Sequence, residues 1–191
     1  MPTSTADLQL ETERSLKALQ TLLRGEVAAA ETYELAVTKL GADAPPDLAI
    51  CLNSHQKRIE LLTVRIFELG GRPEDSSGLW GAFVRLVESG AALLGRSAAI
   101  GSLEEGEDHG LAEYRERLED LDPESRRIVE AELLPEQLRT HELMSALCCH
   151  DGADDTTATA VLPTVVLAAR PGELPQLPGA RSSPVRADAT H

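Results

Sequence analysis

The sequence predicts an all-α fold: an antiparallel four-helix bundle over residues 1–150, with a short crossover helix, followed by a disordered C-terminal tail over residues 151–191. Three observations carry this. Hydrophobic residues make up 42% of the chain but aromatics only 3%, and a core of Leu, Ala, Val and Ile suits helix packing better than a sandwich of strands. Apolar residues recur at alternating spacings of three and four. Gly41, Pro45 and Pro46, Gly70 and Gly71, and Pro123 mark where runs end or begin.

The first helix spans Thr5 to Leu40, a stretch without proline in which Leu16, Leu19, Leu23, Glu26, Ala30, Tyr33, Val37 and Leu40 share one face; Gly41 ends it. Pro45, Pro46 and Asp47 open a second helix, whose stripe is Leu48, Leu52, His55, Ile59, Leu62, Ile66 and Leu69, stopped by Gly70 and Gly71. The short connection makes these two antiparallel neighbours. A polar loop, Arg72 to Ser77, leads to a shorter amphipathic helix, Gly78 to Leu94, carrying Trp80, Phe83, Leu86 and Val87; Arg72 to Gly95 is the expected crossover, and Trp80 its anchor on the bundle. A third long helix is expected from Ala98 to Leu121. After Asp122 and Pro123, an N-cap followed by proline at the first helical position, a fourth runs from Glu124 to about Cys149, kinked or split by Pro135. From Asp151 the chain is rich in Pro, Ala, Thr and Gly without a helical period, and cannot bury enough surface to offset its ordering entropy.

An internal repeat runs through the bundle. Gly25-Glu26 with Tyr33 matches Gly106-Glu107 with Tyr114 at an offset of 81 residues, kept by Val37/Leu118 and Leu40/Leu121. Two copies of one helical hairpin, joined by a long crossover, account for it.

Charge excludes some functions. A net charge of -14 repels phosphate backbones and anionic lipid heads, so no nucleic-acid or membrane partner is expected, whereas metal ions and cationic partners fit. No run reaches the ~18 apolar residues a membrane span needs, and the N-terminus has the wrong charge for a signal peptide. Cys51, Cys148 and Cys149 form no CxxC pair and are odd in number. A cytoplasmic, reducing location is therefore expected.

The candidate site lies on the apolar stripes. An ionised Glu26 there would cost several kcal/mol unless paired or bound to a cation. His55, Glu104 with Glu107, and His141 lie on the stripes of the other three helices. Counted along each helix at about 1.5 Å per residue, Glu26, Glu107 and His141 reach levels that agree within a turn. Their types suit iron, manganese or zinc, with Gln137 placed to orient a ligand. The alternative is a buried Glu paired with His55, His141 or an Arg from a neighbouring helix, with Tyr33 and Tyr114 bonding across the bundle. His109 is expected to pair with Glu105 on another face. Cys148, Cys149 and His150 read as a helix end rather than a soft-metal site.

The segments Gly-Glu-Val-Ala-Ala-Ala-Glu-Thr-Tyr, Ser-His-Gln-Lys-Arg, Gly-Gly-Arg-Pro, Ser-Gly-Leu-Trp-Gly, Gly-Glu-Asp-His-Gly-Leu-Ala-Glu-Tyr and Leu-Pro-Glu-Gln-Leu-Arg-Thr-His resemble a bacterial group of ferritin-like proteins of unassigned function, over roughly Leu8 to Leu147. In the wider superfamily, four helices project Glu, Glu-x-x-His, Glu and Glu-x-x-His onto two metal ions. The resemblance implies a role in metal handling or stress response. This chain departs from the pattern: Leu52 and Leu138 stand three residues before His55 and His141, so both bridging carboxylates are missing and a mononuclear site is the form left open. The other reading is a metal-free helical adaptor or structural protein, whose tail, around Val161 to Ala169, docks a protein partner. A homo-oligomer is compatible with either, and no residue is assigned a catalytic role.

Overall fold

A computed structural model describes residues 4–74 and 95–154. The expected crossover helix and its Trp80 lie outside the described residues, as does the tail from residue 155 onward, including Val161 to Ala169. Helix α1 runs Thr5–Leu40 and α2 Pro46–Glu68. Helix α3 is Gly95–Arg117, three residues earlier at its start than the stripe predicts, and it tightens into a 3-10 turn at Leu118–Asp120. The fourth helix is composite: α4, Pro123–Ile128, then a π-helical turn, Val129–Leu133, then α5, Leu134–Asp154. The described residues contain no strand, and none of their helices is long and apolar enough to cross a membrane.

Local chemistry sets the ends. The Ser4 side chain accepts the Asp7 N–H at the start of α1, and the Asp122 carboxylate accepts the N–H groups of Glu124 and Ser125 at the start of α4, each satisfying donors that the first turn leaves unpaired. Helix α2 stops where Gly70, with φ +77°, adopts the left-handed conformation; Gly70 N–H then reaches Phe67 O and Gly71 N–H reaches Ile66 O, the paired closure of a Schellman end.

Pro135 marks the irregularity of the fourth helix, but as a widened turn rather than a break. Proline has no N–H to give and its ring crowds the carbonyl four residues back. A π-turn just before it, in which Leu134 N–H bonds back to Val129 O, opens the helix by one residue. At the far end the helix continues past Cys149 to Asp154.

Helix α1 packs on α2 and on α3, while the α4–α5 helix packs on α2 and α3. Cross-bundle bonds give the directions. Tyr33 meets Glu107 while Glu26 meets Tyr114, so α1 and α3 are antiparallel. Ser54 meets Glu136 while Arg65 meets Ser125, so α2 and the fourth helix are antiparallel too. Glu26 meets His55 while Gln20 meets Arg72 just past the end of α2, so α1 and α2 are antiparallel as well, and α2 and α3, consecutive among the described helices, therefore run parallel.

The interior is layered. One apolar cluster holds Leu19, Leu22, Leu23, Leu62, Ile66, Tyr114, Val129 and Leu133. A second holds Tyr33, Leu48, Cys51, Ile100, Leu103 and Met144. Between them lies a polar layer, and near the start of the fourth helix sits a smaller polar clasp: Ser15 Oγ and Arg65 both donate to Asp122, tying α1 and α2 to that N-cap. Its own capping bonds, Ser15 and Arg65 outweigh the effect of burial and hold the Asp122 carboxyl down, at about 2.

Candidate functional site

The polar layer is built by two halves of the chain. From the first come Glu26 and Tyr33 on α1, and His55 and Arg58 on α2; from the second come Glu107 and Tyr114 on α3, and Gln137 and Thr140 on α5. All are buried, Glu26 to 3% exposure, Glu107 to 2% and Arg58 to 1%.

Each carboxylate oxygen has donors. Glu26 Oε1 accepts from Arg58 Nε at 2.8 Å and from the Tyr114 hydroxyl at 2.8 Å, while its Oε2 lies 2.8 Å from His55 Nδ1. Glu107 Oε1 accepts from the Tyr33 hydroxyl at 2.7 Å and lies 3.1 Å from His55 Nε2; its Oε2 accepts from Gln137 Nε2 and Thr140 Oγ1, both at 2.8 Å. Arg58 Nη1 donates to Ser54 Oγ, which donates to Glu136. No buried side-chain nitrogen or oxygen among the described residues lacks a partner.

The two halves exchange their tyrosines. Tyr33, on the first, serves Glu107, and Tyr114, on the second, serves Glu26. The offset of 81 also relates buried Leu48 to buried Val129, but from Cys51 and Leu133 onward it becomes 82, through His55/Gln137, Arg58/Thr140 and Leu62/Met144, all buried pairs. The extra residue is the π-turn. Without it, Gln137 and Thr140 would rotate by about 100° away from Glu107.

Electrostatics close the layer. Burial pushes both carboxyls up, but Arg58 and His55 beside Glu26, and His55, Tyr33 and Thr140 beside Glu107, hold both below the usual carboxylate range. Burial pulls the His55 imidazole down, yet the charge of Glu26 and the bonds to Glu107 and Glu26 outweigh it and raise its pKa, against the opposing charge of Arg58, whose Nη2 lies 2.6 Å from Nδ1. A protonated His55 would set two positive charges against the two carboxylates. The tyrosine hydroxyls, buried beside carboxylates, stay protonated. Burial likewise pushes the Cys51 thiol up, to about 11.

Of the residues expected to form a metal site, Glu26, His55 and Glu107 come together. Glu104 and His141 do not join them. Glu104 accepts from Ser145 Oγ at 3.3 Å, and His141, 25% exposed, lies 2.7 Å from Asp108 on the bundle's flank. His109 stands near Glu113 at 3.9 Å rather than Glu105, and Cys149 is exposed on α5. Sequence reasoning missed Arg58, three residues after His55 and therefore on the same face, as well as Thr140; it assigned Gln137 only an orienting role. Among the described residues no group of three or more His, Cys, Asp or Glu is disposed to hold a metal ion.

The donor set does not fit a metal pair. A permanently charged guanidinium, 2.8 Å from Glu26, repels a cation, and three of the four carboxylate oxygens already have two hydrogen-bond partners, the fourth, Glu26 Oε2, having His55.

A family model described as Domain of unknown function (DUF2383) matches residues 14–120, more than half of the 191. Comparison with curated proteins finds no match, and comparison with solved structures finds none.

Proposed function

We propose that this chain, which belongs to the DUF2383 family, is a helical scaffold whose core is closed by a metal-free, charge-balanced network and whose work is done at its surface. The observation that carries the reading is Arg58: its guanidinium lies inside the layer, bonded to Glu26, where a metal-binding bundle would leave room for a cation.

Likeness to ferritin-like bundles supports the reading from the other side. Such a bundle sets Glu, Glu-x-x-His, Glu and Glu-x-x-His around two ions. Here the four inward registers carry Glu26, His55-x-x-Arg58, Glu107 and Gln137-x-x-Thr140. The two helices that would supply both bridging carboxylates and both histidines supply hydrogen-bond donors instead, and two of those carry the positive charge that metals would bring.

A second reading, metal handling through Glu26, His55 and Glu107, is favoured by one fact: two glutamates and a histidine converge from three helices. Elemental analysis separates the two readings. The protein, purified without a metal-binding tag, loaded with Fe(II), Mn(II) or Zn(II) and desalted, is expected to retain far less than one ion per chain. Stoichiometric retention that Glu26→Ala abolishes would overturn the scaffold reading in favour of metal handling.

A further inference from the structure

Helix α2 turns four large apolar side chains outward: Ile50, Leu61, Val64 and Phe67 are 45%, 38%, 56% and 60% exposed. Their neighbours along the same strip are charged. Lys57, Leu61, Val64 and Glu68 follow one another at spacings of four, three and four, and at 3.6 residues per turn they fall within about 60° of one another. All four are exposed, and Ile50 extends the strip two turns beyond Lys57.

This strip reads the same in both directions, with its charge reversed. A two-fold axis through the midpoint between Leu61 and Val64 would lay an antiparallel copy of α2 against the first, setting Leu61 against the second copy's Val64 and Lys57 against the second copy's Glu68. An isologous contact needs a patch complementary to itself under rotation, and an apolar pair flanked by one cation and one anion meets that condition. A parallel copy would set Lys57 against Lys57 and Glu68 against Glu68.

We propose that the outer face of α2 is the contact through which two copies of this chain pair antiparallel, with Leu61 and Val64 as its centre and the two Lys57–Glu68 pairs fixing its register. One helix face per copy is at the small end of protein interfaces, and the net charge of -14 opposes association, so the dimer is reversible and dissociates on dilution. The inference concerns the surface alone and does not depend on how the core treats metals.

Sedimentation equilibrium of the full chain over a wide concentration range tests it, with far-UV circular dichroism confirming that each variant is folded. Reversible dimerisation is expected. Lys57→Glu and Glu68→Lys, each creating like-charge contacts, should raise the dimer Kd by about tenfold or more; the double exchange should return it toward that of the parent, and Val64→Glu should leave monomer. A parent chain monomeric throughout, single exchanges that leave Kd unchanged, or a double exchange that fails to recover would each overturn the proposal.

Discussion

Arg58 and His55 make the difference between an adverse core and a closed one. A buried carboxylate is tolerable only with compensating charge, and removing one member of a buried pair costs about 3–5 kcal/mol because the other is stranded. Arg58→Met should therefore destabilise the protein by about that much in urea unfolding, and Glu26→Gln added to it should recover part of the loss; a cost below about 1 kcal/mol would mean that the guanidinium contributes little. Titration gives an independent check. The raised pKa of His55 contributes stability that is full below its unfolded value of 6.5 and lost as pH rises through the folded value. The lowered pKa values of Glu26 and Glu107 contribute stability present above 4.5 and lost as pH falls through their folded values. Stability should thus peak between these limits and decline toward alkaline pH, and His55→Gln should abolish the decline between pH 6.5 and about 9, above which the raised Cys51 thiol and the buried tyrosines add their own; a parent curve that stays flat or rises just above pH 6.5 would contradict the imidazolium. Sequence patterns marked Glu26, Glu107 and His55 because charged or polar residues stood on apolar stripes. They did not mark Arg58, since a long cationic side chain beside an interior face ordinarily reaches out to solvent, although its spacing of three from His55 set it, and not Lys57, on the inward face.

The fourth helix shows how one element hides a relationship. The repeat is plain in α1 and α3, where the offset is constant. It is obscured in the partner helices because the π-turn at Val129–Leu133 adds one residue between Leu48/Val129 and Cys51/Leu133. A search at constant offset therefore passes over Gln137 and Thr140, and the histidine stripe points to His141, which lies on the flank. Pro135 was the available signal: an interior proline requires some departure from α-geometry, though not which one. Deleting exposed Glu130 should convert the π-turn to α-helix, press Pro135 against the preceding turn and turn Gln137 and Thr140 away from Glu107, at a cost of about 3 kcal/mol or more; adding Pro135→Ala should recover only the proline's share of it. Thermal unfolding of both variants checks this, and a deletion without cost would show that the widened turn does not relieve the proline.

Across the whole molecule, the bundle and its helix order were legible because they follow from period, glycine and proline punctuation and loop length. The closure of the core was legible only as an alternative, a buried Glu paired with His55 or an Arg and Tyr33 and Tyr114 bonding across the bundle; which tyrosine meets which carboxylate was not, because the partners are distant in sequence: Tyr33 with Glu107 and Tyr114 with Glu26. Each hairpin supplies donors to its own carboxylate, Arg58 to Glu26 and Gln137 with Thr140 to Glu107, but takes a tyrosine hydroxyl from the other. The two should unfold together, so the most protected amides of α1–α2 and of α3–α5 should exchange with the same opening free energy. A hairpin that opens alone, with its partner still protected, would contradict this.

The exchanged tyrosines also bear on descent. If the halves arose by duplication, each tyrosine now answers to a partner in the other copy, so a lesion in one must be repaired in the other. Recombining the first half of one such protein with the second half of another would yield a working core only if both crossed bonds had survived in step, and the duplicated units have become heritable only as a pair.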